Sequence, residues 1–334
     1  HLENMMENGR SKSMAWLFRA VLMGLMSTRS AAWMSMSSTT SNSGGMAVTV
    51  VGGTGFVGSR VCQMLTAKGA KVTSVSRSGK IPDWCANEPW TKEVTWTAVD
   101  LLSSDGTSLD LGKDNDAIVS CLGVVGTDRE ELLKGNGNAN VAAFGGDTDV
   151  KRSVFVSVSS EVSGLDGTFW VPEFLSGYFE GKRMGEAAAL EAVGGDSSKA
   201  CTIIRPSFIY GGDSFGLFPP RVNGAYGSGV EELLSLAPFC ILADLTPGLI
   251  KVALRPPSSV NAVAAACAAA ALGEIDGGIL DGTKAINAAT NQPDPTGLTE
   301  AIDWTKENLS KAYDWAQVEV PKAIEWTKEK IEDS

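Results

Sequence analysis

The chain has 334 residues, 43% hydrophobic and 20% charged, enough to bury a full core as one large or two small soluble domains. A net charge of −11 argues against a nucleic-acid ligand, which calls for a basic stripe, and against electrostatic adsorption to anionic lipid, leaving small molecules as the expected partners. Six cysteines without a C-x-x-C pair, and His1 as the sole histidine, argue against a zinc site and deprive the G-x-S-x-G match at Gly212–Gly216 of any imidazole base.

Residues 1–45 are rich in Met, Ser, Ala and Arg, and after Glu7 no acidic residue appears before Asp83. This composition resembles an organellar presequence, with a disordered leader as the alternative. Its apolar stretch Met14–Met26 is interrupted by Arg19 and is too short for a membrane span of about 20 residues.

The run Ala47–Gly58, AVTVVGGTGFVG, organises the rest of the chain. Its β-branched start predicts a strand, and Val57, Val61, Cys62 and Leu65 fall on one face of a helix beyond it. Between them, Gly52, Gly53, Thr54, Gly55, Phe56, Val57 and Gly58 form a tight turn in which bare backbone N–H groups at a helix N-terminus can receive a pyrophosphate. A second strand, Lys71–Ser76, ends in Ser76-Arg77-Ser78-Gly79, with arginine where an acidic residue would hold an adenosine ribose. Arg77 therefore favours NADP(H) over NAD(H), unless it is only a solvated loop cation.

Third and fourth strands are expected at Val94–Val99, followed by Asp100 and Leu101 beside adenine, and at Ala117–Leu122, followed by Gly123. A helix around Asn138–Phe144 leads to a fifth strand, Ser153–Val158, and then Ser159-Ser160; a sixth is Cys201–Ile204. Alternating strands and helices predict an α/β doubly wound parallel Rossmann sheet whose ligand lies at the carboxyl ends. In the helix Ser176–Leu190, Tyr178 and Lys182 are four apart and share a face. An ammonium beside a phenol favours phenolate, the basis of an acid–base pair, though the spacing also suits an amphipathic surface pair.

Residues 207–257 lack clear periodicity and suit a small substrate lobe, and Ser258–Leu272 reads as an alanine-rich helix packed on the sheet. Residues 291–334 carry an eleven-residue repeat with Trp304, Trp315 and Trp326 in register. Ile302, Leu309, Tyr313, Val320, Ile324 and Ile331 then line one face of an amphipathic helix, kinked or split at Pro321. Such a helix caps its own domain or docks, through 297–334, on a membrane, lipid droplet or protein complex.

Taken together, GGTGFVG, SRSG, VDL, VSVSS, YFEGK and IIRPSFIYG resemble the atypical or extended branch of the short-chain dehydrogenase/reductase superfamily over residues 46–290. Within it, the chain looks most like organellar proteins related to a coenzyme Q synthesis factor and plastoglobule-associated Rossmann proteins, and more distantly like an accessory subunit of respiratory complex I. The resemblance implies a catalytic pair at Tyr178 and Lys182, a carbonyl anchor at Ser159 with Ser160 adjacent, and Asn140 as a further polar member. It implies a mitochondrial or plastid location, quinone biosynthesis as a context, and a hydrophobic carbonyl or quinone-type substrate reduced with NADP(H) or NAD(H). Leu122-Gly123 stands where the superfamily usually has an asparagine-alanine motif. A non-catalytic nucleotide-binding scaffold subunit is the competing expectation.

Overall fold

The computed structural model describes residues 45–103, 115–145, 150–169, 171–195, 200–212, 216–217, 220–235 and 237–290. The leader 1–44, the tail 291–334 and the centre of the Gly212–Gly216 match lie outside them.

Seven parallel strands form the central sheet: β1 (Ala47–Val51), β2 (Lys71–Ser76), β3 (Val94–Ala98), β4 (Ala117–Ser120), β5 (Arg152–Val156), β6 (Cys201–Arg205) and β11 (Gly278–Asp281). Their order is β11-β6-β5-β4-β1-β2-β3. The chain winds outward from β1 to β3, returns to β4 on the other side of β1, and winds outward again. The reversal opens a crevice between β1 and β4 at their carboxyl ends.

Side-chain alternation sorts the core into two layers. Val48 and Val50 of β1 pack with Val61, Cys62 and Leu65 of α1 (Gly58–Ala67) and with Val263 and Cys267 of α9 (Val260–Ala271). Val51 faces the other layer with Ile118, Phe144, Phe155 and Ala189. Small side chains let α9 lie close to the sheet: every residue in it except Asn261 is buried. Cys62 and Cys267 are buried free thiols.

On the second face, α2 (Arg129–Leu133), a π-helical turn (Lys134–Asn138) and α3 (Ala139–Phe144) run against α5 (Ser176–Glu191). The contact rests on Gly177, Gly181 and Gly185, four residues apart on α5. A Cβ on Gly181 would stand 2.7 Å from the backbone N of Gly137, and one on Gly185 2.6 Å from the Phe155 ring. Side chains at these positions would push α5, and with it Tyr178 and Lys182, away from the sheet.

The segment after β6 is more regular than its sequence suggests. It contains β7 (Ile209–Tyr210), the two-residue strands β8 (Gly216–Leu217) and β9 (Pro220–Arg221), and α6 (Gly224–Ser235), α7 (Ala237–Leu245) and α8 (Gly248–Ala253). β10 (Ser258–Ser259) pairs in parallel with β7. The Tyr210 hydroxyl donates to Glu231 of α6 at 2.8 Å, and Asn287 of α10 (Gly282–Thr290) donates to the same carboxylate at 2.5 Å. Arg255 forks onto Glu161 at 2.6 and 2.7 Å, tying the lobe to α4 (Ser160–Ser163) just after β5.

Candidate nucleotide and substrate site

The turn from β1 into α1 brings backbone against backbone at its glycines. Gly52 sits at φ +79°, a conformation open to glycine, and accepts the Gly55 N–H at 2.9 Å. Its neighbours leave no space for a side chain: a Cβ on Gly52 would meet the Cys121 backbone at 3.2 Å, and one on Gly58 would stand 2.8 Å from the Gly52 carbonyl carbon. Gly55 at the crest is exposed. This cradle fits a pyrophosphate, since any Cβ added there would fill it or break the turn.

Thr54, Phe56 and Val57 are half-buried members of the same turn. A brace with no signal in the sequence holds it from outside. Ser59 donates to the Gly55 carbonyl at 2.7 Å and receives the Trp84 indole N–H at 3.2 Å. The Arg60 guanidinium lies 4.8 Å from the Phe56 ring centroid and 4.7 Å from that of Trp84, and donates to the Phe56 carbonyl at 2.8 Å. Trp84 lies 25 residues downstream of Ser59, so no local pattern announces this contact.

The remaining cofactor candidates fall at neighbouring strand ends. Arg77 is exposed beyond β2, in a loop where Ser76 accepts the Gly79 N–H at 3.0 Å. Asp100, exposed beyond β3, accepts the Leu102 N–H at 3.1 Å, while Leu101 turns into the core. Leu122 and Gly123 follow β4, where Asn136 of the π-helical turn grips the loop: its amide donates to the Val124 carbonyl at 3.0 Å and its Oδ1 accepts the Val124 N–H at 3.2 Å. Asn140, the residue matched by resemblance, is fully buried and accepts from Ser120 at 2.5 Å, supporting β4 from beneath. Sequence reasoning misses Asn136 because the helix expected there starts only around Asn138; π-helical turns recur at functional sites.

Lys182 reaches from α5 to the mouth between β4 and β5, donating to the Leu122 carbonyl at 3.2 Å and to the Val156 carbonyl at 2.9 Å. Burial pulls its ammonium down to about 8. Tyr178 lies one turn earlier, with the Lys182 ammonium 5.8 Å from its ring centroid. The sequence predicts a phenol shifted toward phenolate. The structure shows the reverse: burial pushes the Tyr178 hydroxyl up to about 12, and among the described residues it has no hydrogen-bond partner. Lys182 is committed to the two carbonyls and does not bond the phenol.

The serines after β5 divide their roles. Ser159 is buried and caps α4, accepting the Val162 N–H at 3.4 Å, which leaves its proton to donate. Ser160 is exposed, its N–H bonded to Asp281 at 3.1 Å. Ser157, which no sequence motif singles out, is buried with an unpartnered hydroxyl beside the strand end that Lys182 touches. An orphaned polar atom there fits a ligand group.

A family model described as NAD(P)H-binding matches residues 52–220, half of the chain. Among curated proteins, the chain is 36% identical over 166 residues to the uncharacterized protein At1g32220, chloroplastic, of Arabidopsis thaliana, covering 49% of this chain and 51% of that protein. It is 47% identical over 58 residues, 17% of this chain, to MIOREX complex component 2 of Saccharomyces cerevisiae. These matches span about half and about a fifth of the relatives' own lengths, 51% and 21%. Among solved structures, the Bordetella bronchiseptica enzyme WbmF in complex with NADH has the same fold, with a TM-score of 0.51 at 14% identity over 82% of this chain and 95% of that one.

Proposed function

Because the chain belongs to the NAD(P)H-binding family and has the Rossmann fold of the extended short-chain dehydrogenases, we propose that it is an NADP(H)-dependent oxidoreductase acting on a hydrophobic carbonyl or quinone-type small molecule. The observation that carries this reading is Lys182, drawn from α5 to the carboxyl ends of β4 and β5 beside the crevice, one helical turn from Tyr178.

Residues 52–58 would hold the pyrophosphate, Asp100 and Leu101 the adenine side, Arg77 a 2′-phosphate, and Leu122, Gly123 and Lys182 the nicotinamide ribose. The cofactor, when bound, supplies the hydride. The chain's own residues do the rest. Ser159, with Ser157 behind it, donates to the substrate oxygen; Tyr178, protonated at neutral pH, gives that oxygen its proton; Lys182 stabilises the phenolate left behind. Apolar residues of the lobe over 207–257 would shield the site from water. The word chloroplastic in the Arabidopsis relative's name supports an organellar setting, with mitochondrial and plastid both kept as readings of the leader 1–45.

A second reading is a nucleotide-binding scaffold subunit without turnover. What favours it is that Lys182 is bonded to the Leu122 and Val156 carbonyls and not to the Tyr178 hydroxyl.

Two measurements separate parts of this proposal. NADPH should bind more tightly than NADH by fluorescence titration. Arg77→Ala should narrow the gap about ten- to a hundredfold, the worth of one charge-assisted hydrogen bond. Equal affinities in the unaltered protein would remove the NADP assignment.

The second concerns pH. Folded Lys182 titrates at about 8 and the unfolded chain at the ordinary 10.5, so between these values the unfolded state binds more protons. Burying the ammonium therefore costs stability fully below pH 8, and the cost disappears as pH rises through that window. Relative to Lys182→Met, the unaltered protein should gain stability from pH 8 to 10, while its NADPH affinity falls as the ammonium is lost. Parallel melting curves for the two proteins across this range would contradict the assignment.

A further inference from the structure

The hairpin of α7 and α8 leaves a concentrated apolar face open. Ile241, Leu242, Leu245, Leu249 and Ile250 are all exposed, Leu245 by 77%, Ile241 by 59% and Ile250 by 54%. The hairpin's charges are engaged at its base: Asp244 meets Arg255 at 2.6 Å and Lys251 meets Glu161 at 3.2 Å. An isolated exposed leucine is ordinary, but five aliphatic side chains within ten residues form a surface that needs a cover.

We propose that residues 297–334 of the same chain dock on this face as an amphipathic helix, capping the substrate lobe. The described chain ends beside the lobe: α10 closes at Thr290, and its Asn287 is bonded to Glu231 of α6, which packs on α7. The six residues 291–296 can span about 20 Å when extended. As a helix the 38 residues beyond them would reach about 57 Å, or be divided in two at Pro321. Their sequence repeats a stripe through Ile302, Leu309, Tyr313, Val320, Ile324 and Ile331. An apolar stripe written in the sequence of 297–334 and an apolar face on the hairpin of the same chain would meet at an effective concentration of order millimolar, ahead of any separate partner.

Charge selects among occupants. Residues 291–334 hold ten acidic side chains against five lysines, and the whole chain carries −11. An anionic lipid surface is thus repelled by both tail and body, while the hairpin offers the tail an apolar surface with its own charges already paired.

The experiment compares the full chain with one truncated after residue 296 and with a full-length Leu309→Asp, Ile324→Asp variant. Amide hydrogen exchange over 237–253 should quicken at least tenfold in both altered chains, with a rise in fluorescence of an apolar-surface dye and unchanged NADPH affinity as the folding control. A Leu245→Asp, Ile250→Asp variant should release the tail, seen as faster exchange across 301–331. Unchanged exchange over 237–253 on truncation overturns the proposal. So does hairpin protection that vanishes on dilution, which would make the cover a second copy. Tail-dependent flotation of the full chain with phosphatidylcholine vesicles also overturns it, since the tail would then occupy a bilayer.

Discussion

Replacing Gly55 with valine should abolish nucleotide binding while leaving the fold in place. Gly55 is exposed at the crest of the cradle, its N–H bonded to the Gly52 carbonyl at 2.9 Å, and its backbone lies outside the positive-φ region that only glycine tolerates. A Cβ there would stand 3.0 Å from the Gly52 oxygen, tight but short of a collision, and valine's two methyl groups would add bulk at the crest where a pyrophosphate would sit. Loss of several N–H–phosphate bonds should weaken NADPH at least about a hundredfold, since each charge-assisted bond is worth about 1.5–3 kcal/mol. The melting temperature should move by only a few degrees. Gly58→Val makes the contrast: its Cβ collides with the Gly52 carbonyl inside the turn, so that variant should lose stability as well as binding. If Gly55→Val binds NADPH within threefold of the unaltered protein, the cradle lies elsewhere.

What was legible in the sequence was whatever local chemistry decides. The strands β1, β5 and β6 are buried on both faces and read as short β-branched runs closed by Gly52, Ser157 and Pro206, so β2 is placed to the residue and β3 to β6 within two. The glycine turn was legible because phosphate approach and helix entry demand the same bare backbone. The seventh strand, β11, was not: GILD is four residues long, lies at the sheet edge and is only half-buried. The lobe helices were hidden because α7 is apolar on its open side as well as its packed one, which erases the 3.6-residue contrast.

The site's finer geometry failed for a different reason, since it depends on contacts between distant residues. Gly177, Gly181 and Gly185 look like a weak helix until α2 and the π-helical turn are seen against them, when the missing side chains become the means by which α5 brings Lys182 to Leu122. Lys182 then spends its ammonium on carbonyls of β4 and β5, a partnership no i,i+4 spacing can show. The serine run was legible as chemistry but not as assignment: Ser159 caps α4, and Ser157 is the hydroxyl left unpaired.

Tyr178→Phe should remove turnover and leave NADPH affinity and stability nearly unchanged. The hydroxyl has no partner among the described residues, so its removal breaks no contact within them, and nothing places it near the adenosine half of the crevice. Its protonated state at neutral pH suits carbonyl reduction, where it gives up a proton as the hydride arrives. A hydroxyl held at about 12 by burial is a weak acid, so the step requires the Lys182 ammonium, 5.8 Å from the ring, to stabilise the forming phenolate. Losing a positioned general acid costs about 10²–10⁴-fold in kcat, with KM little moved. The measurement is NADPH oxidation against a panel of short-chain quinones and hydrophobic ketones, with the Phe variant and Lys182→Met in parallel. If a turned-over compound emerges and the Phe variant matches the unaltered rate, the proton comes from another group and Ser157 becomes the next candidate. If nothing in the panel is reduced although NADPH binds tightly, the raised hydroxyl and the committed lysine belong to a site that holds nucleotide without using it, and the scaffold reading stands in place of the enzyme.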